Sequence, residues 1–155
     1  MKEEWVNPFL TPAKHVWEME LQDELHVAGT DLVSNQFTTD DVTAIIGVSG
    51  SLEGNVLYGF ADDCASAAVA KMLEEEPTVE ITPMSLSALG ELANMITGNA
   101  ATLLAQNGYT CDISPPVIIE PAGSRFTTTA AASISSAPMI GSSAFCSIDH
   151  ITRCR

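Results

Sequence analysis

The sequence predicts an α+β domain, an antiparallel sheet with helices packed on one face. Two observations carry that prediction. Segments of helical periodicity and segments rich in Val, Ile, Phe and Thr come in blocks, in the order helix, strands, helix, helix, strands. Such blocks suit segregated layers. No Pro/Gly/Ser-rich linker divides the 155 residues, and 46% of them are apolar. Residues 1–155 are therefore read as one domain able to bury its own core.

Taken in order, Asn7-Pro8 has the chemistry of a helix start, with Asn as cap and Pro at the first helical position. Phe9, Ala13, Val16, Trp17 and Leu21 continue at helical spacing, which predicts a first helix over about 8–22. Residues 25–37 read as extended, with Gly29 marking a bulge. Residues 42–49 and 55–60 form a hairpin about Gly50-Ser51-Leu52-Glu53-Gly54. Asp62-Asp63 then caps a second helix, from Cys64 to about Glu75, whose buried side is Ala65, Ala68, Val69 and Met72. Glu74-Glu75-Glu76-Pro77 ends it as a solvated turn, because three acids oppose the dipole at a helix C-terminus.

A long helix follows Pro83 and runs to about Asn107, where Asn107-Gly108 is a C-cap signal. Residues 111–120, 124–136 and 143–151 read as strands, and Pro115-Pro116 confines the first of them to a sheet edge. Both halves of the chain read helix, turn, strands, a pattern that an internal structural duplication would produce.

Charge narrows the function classes. Twenty Asp and Glu face six Lys and Arg, a formal net charge of −14. That excess repels nucleic-acid backbones and anionic membranes, so neither is expected as a partner. The longest apolar run, Ala44-Ile45-Ile46-Gly47-Val48, is far too short to span a bilayer, and the first residues lack a signal-peptide pattern. The expectation is a soluble cytoplasmic protein. Cys64, Cys111, Cys146 and Cys154 include no C-x-x-C pair and read as reduced thiols. Cys146, His150 and Cys154 recur every four residues, which on a helix would align three soft ligands. The residues between them favour an extended segment and no fourth ligand is evident, so an ordinary terminal strand is expected and no metal in this chain. His15, His26 and His150 are dispersed along the sequence.

The segment from Ser85 to Ala100 is the most informative. Leu86, Leu89, Ala93, Ile96, Ala100 and Leu103 follow a 3-4-3-4-3 spacing and form one apolar stripe. Ser87, Glu91, Asn94 and Gly98 fall together on the opposite side, and Glu91 and Asn94, three residues apart, are neighbours there. Any buried helix has a polar outer face, which accounts for Glu91 alone. An ordinary solvated face mixes long residues of both charges. Here no Lys or Arg occurs between 72 and 124, and small residues at 87, 90 and 98 leave room for another backbone.

Ser87-x-x-x-Glu91-x-x-Asn94, then Gly98-Asn99, then Pro115-Pro116 about twenty residues on, closely resembles the signature of the CheC/CheX/FliY response-regulator phosphatases. Asn7-Pro8-Phe9 and the segment 41–47 resemble CheX in particular, and the likeness covers roughly residues 5–120. The same Glu-x-x-Asn spacing at Glu4 and Asn7 is read as coincidence, since Pro8 puts it at a helix start. The small-residue stretch from Thr127 onward departs from the alternating apolar last strands of CheX.

The resemblance implies a phosphatase for the aspartyl phosphate of a CheY-like receiver domain. Asn94 would position the attacking water and Glu91 would pair with the receiver's lysine, while Ser87 and Gly98 would line the contact. Thr11 to Leu21 of the first helix holds no matching Glu-x-x-Asn, so a single site is expected, as in CheX; the resemblance further implies a possible homodimer and a divalent metal (Mg) carried by the receiver. The alternative is a non-catalytic adaptor or sequestering module that docks a receiver through the same helix. A small-molecule or metal-binding role lacks a ligand cluster or a Gly-rich phosphate loop.

Overall fold

Val42, Ala44, Ile46 and Val48 alternate with Thr43, Ile45, Gly47 and Ser49, and this two-residue period decides which side of the sheet carries the helices. In the computed structural model, residues 3–33, 36–38, 41–78, 80–120, 125–127, 131–138 and 146–149 are described, with side-chain burial given for 7–26, 41–78 and 80–120. The elements are α1 (Glu3–Leu21), β1 (Leu25–Val33), β2 (Gln36–Thr38), β3 (Val42–Gly50), β4 (Gly54–Phe60), α2 (Asp62–Leu73), α3 (Pro83–Gln106), β5 (Cys111–Ile113), β6 (Val117–Ile119), β7 (Arg125–Thr127), β8 (Ala131–Pro138) and β9 (Cys146–Asp149).

Among the described residues one antiparallel sheet runs β1-β8-β9-β4-β3-β5, with β6 also on β3, and β2 pairs β7 in a separate ribbon. Val42, Ala44, Ile46 and Val48 join Val56, Tyr58 and Phe60 in a single buried cluster with α1, α2 and α3. This is the α+β arrangement expected, with helices on one sheet face. The β3–β4 hairpin pairs Val42 with Phe60 and Val48 with Gly54. Its turn needs glycine at 50, where φ is +121° and a Cβ would stand 2.6 Å from the Thr110 carbonyl oxygen. The bulge expected at Gly29 is present, as a register shift between Val27 and Gly29.

Several boundaries differ from the sequence reading. Helix α1 begins at Glu3, so Asn7 is not its cap and Pro8 and Pro12 lie inside it. Both prolines are buried, and tertiary packing outweighs the local start signal. Glu4 and Asn7 are thus both helical, and the coincidence drawn from a helix start at Pro8 loses that ground. Asp62 and Asp63 occupy the first turn of α2 rather than its cap, which is Ala61. The Asp62 amide is satisfied instead by Asp41 Oδ2 at 3.0 Å. Glu74 to Glu76 are exposed, as expected of a solvated end.

The segment expected as one strand at 111–120 is two short strands flanking Ser114-Pro115-Pro116, both along the outer edge of β3. Likewise 124–136 splits into β7, which pairs β2, and β8, which pairs β1 and β9. The small-residue strands β8 and β9 sit between β1 and β4, inside the sheet. Cys146 begins β9, an extended segment as expected, while His150 and Cys154 lie outside the described residues.

Candidate active site

Helix α3 spans 24 residues, about 36 Å at 1.5 Å per residue. Its start is fixed by a reciprocal cap. Thr82 Oγ1 accepts from the Ser85 amide at 3.2 Å, and Ser85 Oγ accepts from the Thr82 amide at 3.1 Å. Pro83 fills the first helical position, where its missing N–H is harmless. Asn107 caps the end and Gly108 leaves in the left-handed region, φ +88°.

The inner face is apolar and tightly held. Leu89, Leu92, Ala93 and Ala100 are wholly buried, with Ile96 and Leu104 nearly so. The opposite face carries the four residues that the spacing placed together. Ser87 and Glu91 are exposed, and Asn94 and Gly98 are half-buried. The backbone between them is continuous helix. Residues three apart on a helix have Cβ atoms about 5–6 Å apart, so the carboxylate of Glu91 and the carboxamide of Asn94 form one polar spot. Neither makes a hydrogen bond or ion pair among the described residues. Met84, 64% exposed, extends the same stripe toward the helix start.

One side of this spot is walled by the loop between β5 and β6. A Cβ on Gly90 would lie 3.3 Å from Pro116 Cγ and 3.4 Å from Ile118 Cδ1, so glycine lets the proline edge press directly on the helix beside Glu91. Ser114 pins the loop to β3. Its amide donates to the Gly47 carbonyl at 2.9 Å and its Oγ accepts from the Gly47 amide at 2.9 Å. The sequence supplied both Gly90 and Pro116 but not their contact. Beneath the spot, Tyr58 Oη lies 2.7 Å from Thr97 Oγ1, a buried pair that sequence reading missed. The signal was available, since Thr97 is a lone polar residue on an apolar stripe.

No group of three or more His, Cys, Asp and Glu among the described residues could hold a metal ion. No helix of the described residues is long and apolar enough to cross a membrane. What the arrangement offers chemically is one acceptor carboxylate and one neutral amide, side by side, on a helix face that itself carries no Lys or Arg.

The family model for the chemotaxis phosphatase CheX matches residues 42–139. The chain belongs to the CheX family. The matched span holds α2, α3 and the Glu91–Asn94 spot. The CheY-P phosphatase CheX of Thermotoga maritima is 33% identical over 78 residues, half of this chain, and the match spans half the length of that relative. The crystal structure of a chemotaxis protein CheX from Desulfovibrio desulfuricans superposes with a TM-score of 0.83 at 25% identity, covering 96% of this chain and 99% of the other. A CheX from Borrelia burgdorferi, solved as a CheX–CheY–BeF3–Mg2+ complex, gives a TM-score of 0.78 at 22% identity over 97% and 98% of the two chains. At that identity the likeness concerns the fold. Both agreements cover nearly all of this chain's length.

Proposed function

We propose that this chain hydrolyses the aspartyl phosphate of a CheY-like receiver domain. One observation carries the reading: Glu91 and Asn94 stand side by side on the outer face of an unbroken helix, with no partner among the described residues. Membership of the CheX family and the CheY-P phosphatase among its relatives support it. An acyl phosphate is already activated, so a phosphatase needs chiefly to place water in line with phosphorus. The Asn94 carboxamide suits that task. Its oxygen accepts from the water and its nitrogen donates to it, without bringing charge to a phosphoryl anion.

Glu91 pairs with the lysine that the receiver directs at its own phosphoryl oxygens, which sets the register of docking. As a general base it would be disfavoured, because the phosphoryl group repels its charge. Ser87 and Gly98 keep the face low, so that the receiver backbone approaches closely. The divalent ion, Mg2+, belongs to the receiver and neutralises phosphoryl charge there. A receiver-borne reaction of this kind places the protein in the cytoplasm.

The test is the decay of a phosphorylated receiver with and without the protein. The wild-type chain should shorten the phosphate lifetime and Asn94→Ala should not, while the variant keeps its fold by circular dichroism. Equal rates for the two would remove Asn94 from the mechanism. Receiver binding without any change in phosphate lifetime would instead identify a docking module.

A further inference from the structure

Thr43, Ser85 and Thr97 are the buried polar residues among the described side chains. Ser85 belongs to the helix cap, whereas Thr97 lies in the middle of the apolar underside of α3, one turn beyond Asn94. Its Oγ1 is 2.8 Å from the Ala93 carbonyl oxygen and 2.7 Å from Tyr58 Oη. A carbonyl only accepts, so the single hydroxyl proton of Thr97 goes to Ala93. Tyr58 must then donate to Thr97. The hydrogen bonds therefore run one way, from Tyr58 through Thr97 to the Ala93 carbonyl. Burial also pushes the Tyr58 phenol well above its ordinary value, so it keeps the proton it donates.

We infer that Tyr58, acting through Thr97, is a positioning residue for Asn94. The Ala93 carbonyl belongs to the peptide plane whose other half is the Asn94 amide, so fixing that oxygen fixes the base of the Asn94 side chain. In a regular helix the same carbonyl accepts the Thr97 N–H, and adding the Thr97 hydroxyl gives it a second donor, which bends a helix locally. Tyr58 sits on β4, inside the sheet, so the tether joins the turn to a rigid layer. From the side, Pro116 bears on Gly90, the residue whose carbonyl accepts the Asn94 N–H in regular helix geometry. The turn from 90 to 94 is held from below and from one flank. The inference rests on the proposed hydrolysis and adds the support that sets where the water stands.

The test compares Tyr58→Phe, Thr97→Val and Thr97→Ser. Tyr58→Phe keeps the ring and removes only the hydroxyl. Displacements within about 1 Å cost up to roughly 100-fold in rate, so a loosened turn should lower kcat by about tenfold. KM for the phosphorylated receiver should stay within about twofold, since the docking face is unaltered. Thr97→Val should behave like Tyr58→Phe, Thr97→Ser should retain activity, and the Tyr58→Phe, Thr97→Val pair should be no worse than either change alone. A second readout needs no receiver. The side-chain amide NMR signals of Asn94 should move in Tyr58→Phe and Thr97→Val but not in Thr97→Ser. Where Tyr58→Phe folds poorly, the Thr97→Ser and Thr97→Val pair decides alone. An unchanged kcat, or a rise in KM without a fall in kcat, overturns the inference. If the wild-type chain leaves the phosphate lifetime unchanged, the hydrolysis reading fails, and unmoved Asn94 signals in Tyr58→Phe would separately overturn the positioning role.

Discussion

Gly98→Ala separates the stability of α3 from its use. A Cβ built at 98 would meet only Ile113 Cδ1, at 3.9 Å, an ordinary van der Waals distance. No strain therefore offsets the gain from replacing glycine in a helix interior, about 1 kcal/mol. For a chain of this size that gain should raise Tm by roughly 2–4 °C. The added methyl also stands on the face that carries Glu91 and Asn94, where it should hold the receiver away and raise KM. Gly90→Ala is the internal control. It has the same helical gain, but its Cβ would press on Pro116 at 3.3 Å and Ile118 at 3.4 Å. Overpacking of that kind costs about 1–3 kcal/mol, so the control should be neutral to destabilised. Urea denaturation with a shared m-value measures the first effect, and receiver dephosphorylation measures the second. A Gly98→Ala protein less stable than wild type, or one more stable with KM unchanged, would refute the reasoning.

Three further outcomes follow from the same geometry. Thr43 Oγ1 is buried without a hydrogen-bond partner among the described residues, so Thr43→Val should stabilise by about 1 kcal/mol, and a lowered urea midpoint would show that the hydroxyl contributes. Thr82→Ala removes the α3 cap and should cost about 1 kcal/mol, while Thr82→Ser retains most of it; equal thermal stability of the two would argue against the cap. Tyr58 is protonated in both folded and unfolded chains below its ordinary value of 10.0. Above that pH the unfolded chain releases a proton that the native chain keeps, so stability should fall by about 1.4 kcal/mol per pH unit. The Tyr58→Phe protein should lack that component in urea titrations between pH 9 and pH 11 (roughly the accessible range), and identical slopes would contradict it.

What the sequence made legible was local. The β3–β4 hairpin shows in its alternation and in Gly50, the bulge in Gly29, and α3 in its apolar stripe and its Asn107-Gly108 end. The four outer residues of the site follow from the same helical period. Features decided by distant contacts did not show. Asn7-Pro8 has the local chemistry of a start, yet packing of Pro8 and Pro12 against the core carries α1 back to Glu3. Residues 124–136 read as one strand because nothing in them reveals that 125–127 pair with β2 while 131–138 pair with β1. The Tyr58–Thr97 bond joins residues 39 apart, and the seat of Pro116 on Gly90 likewise needs the folded chain.

The proline-broken rim along β3 also bears on how the molecule behaves in company. Two three-residue strands and a loop with two prolines give any incoming strand only a short, interrupted row of amide donors. Sheets that end in such a ragged margin resist stacking edge to edge, even at high concentration. The segment that shapes one wall of the candidate site thus also protects its side of the molecule from aggregation, and smoothing it by replacing Pro115 and Pro116 would trade away solubility along with shape.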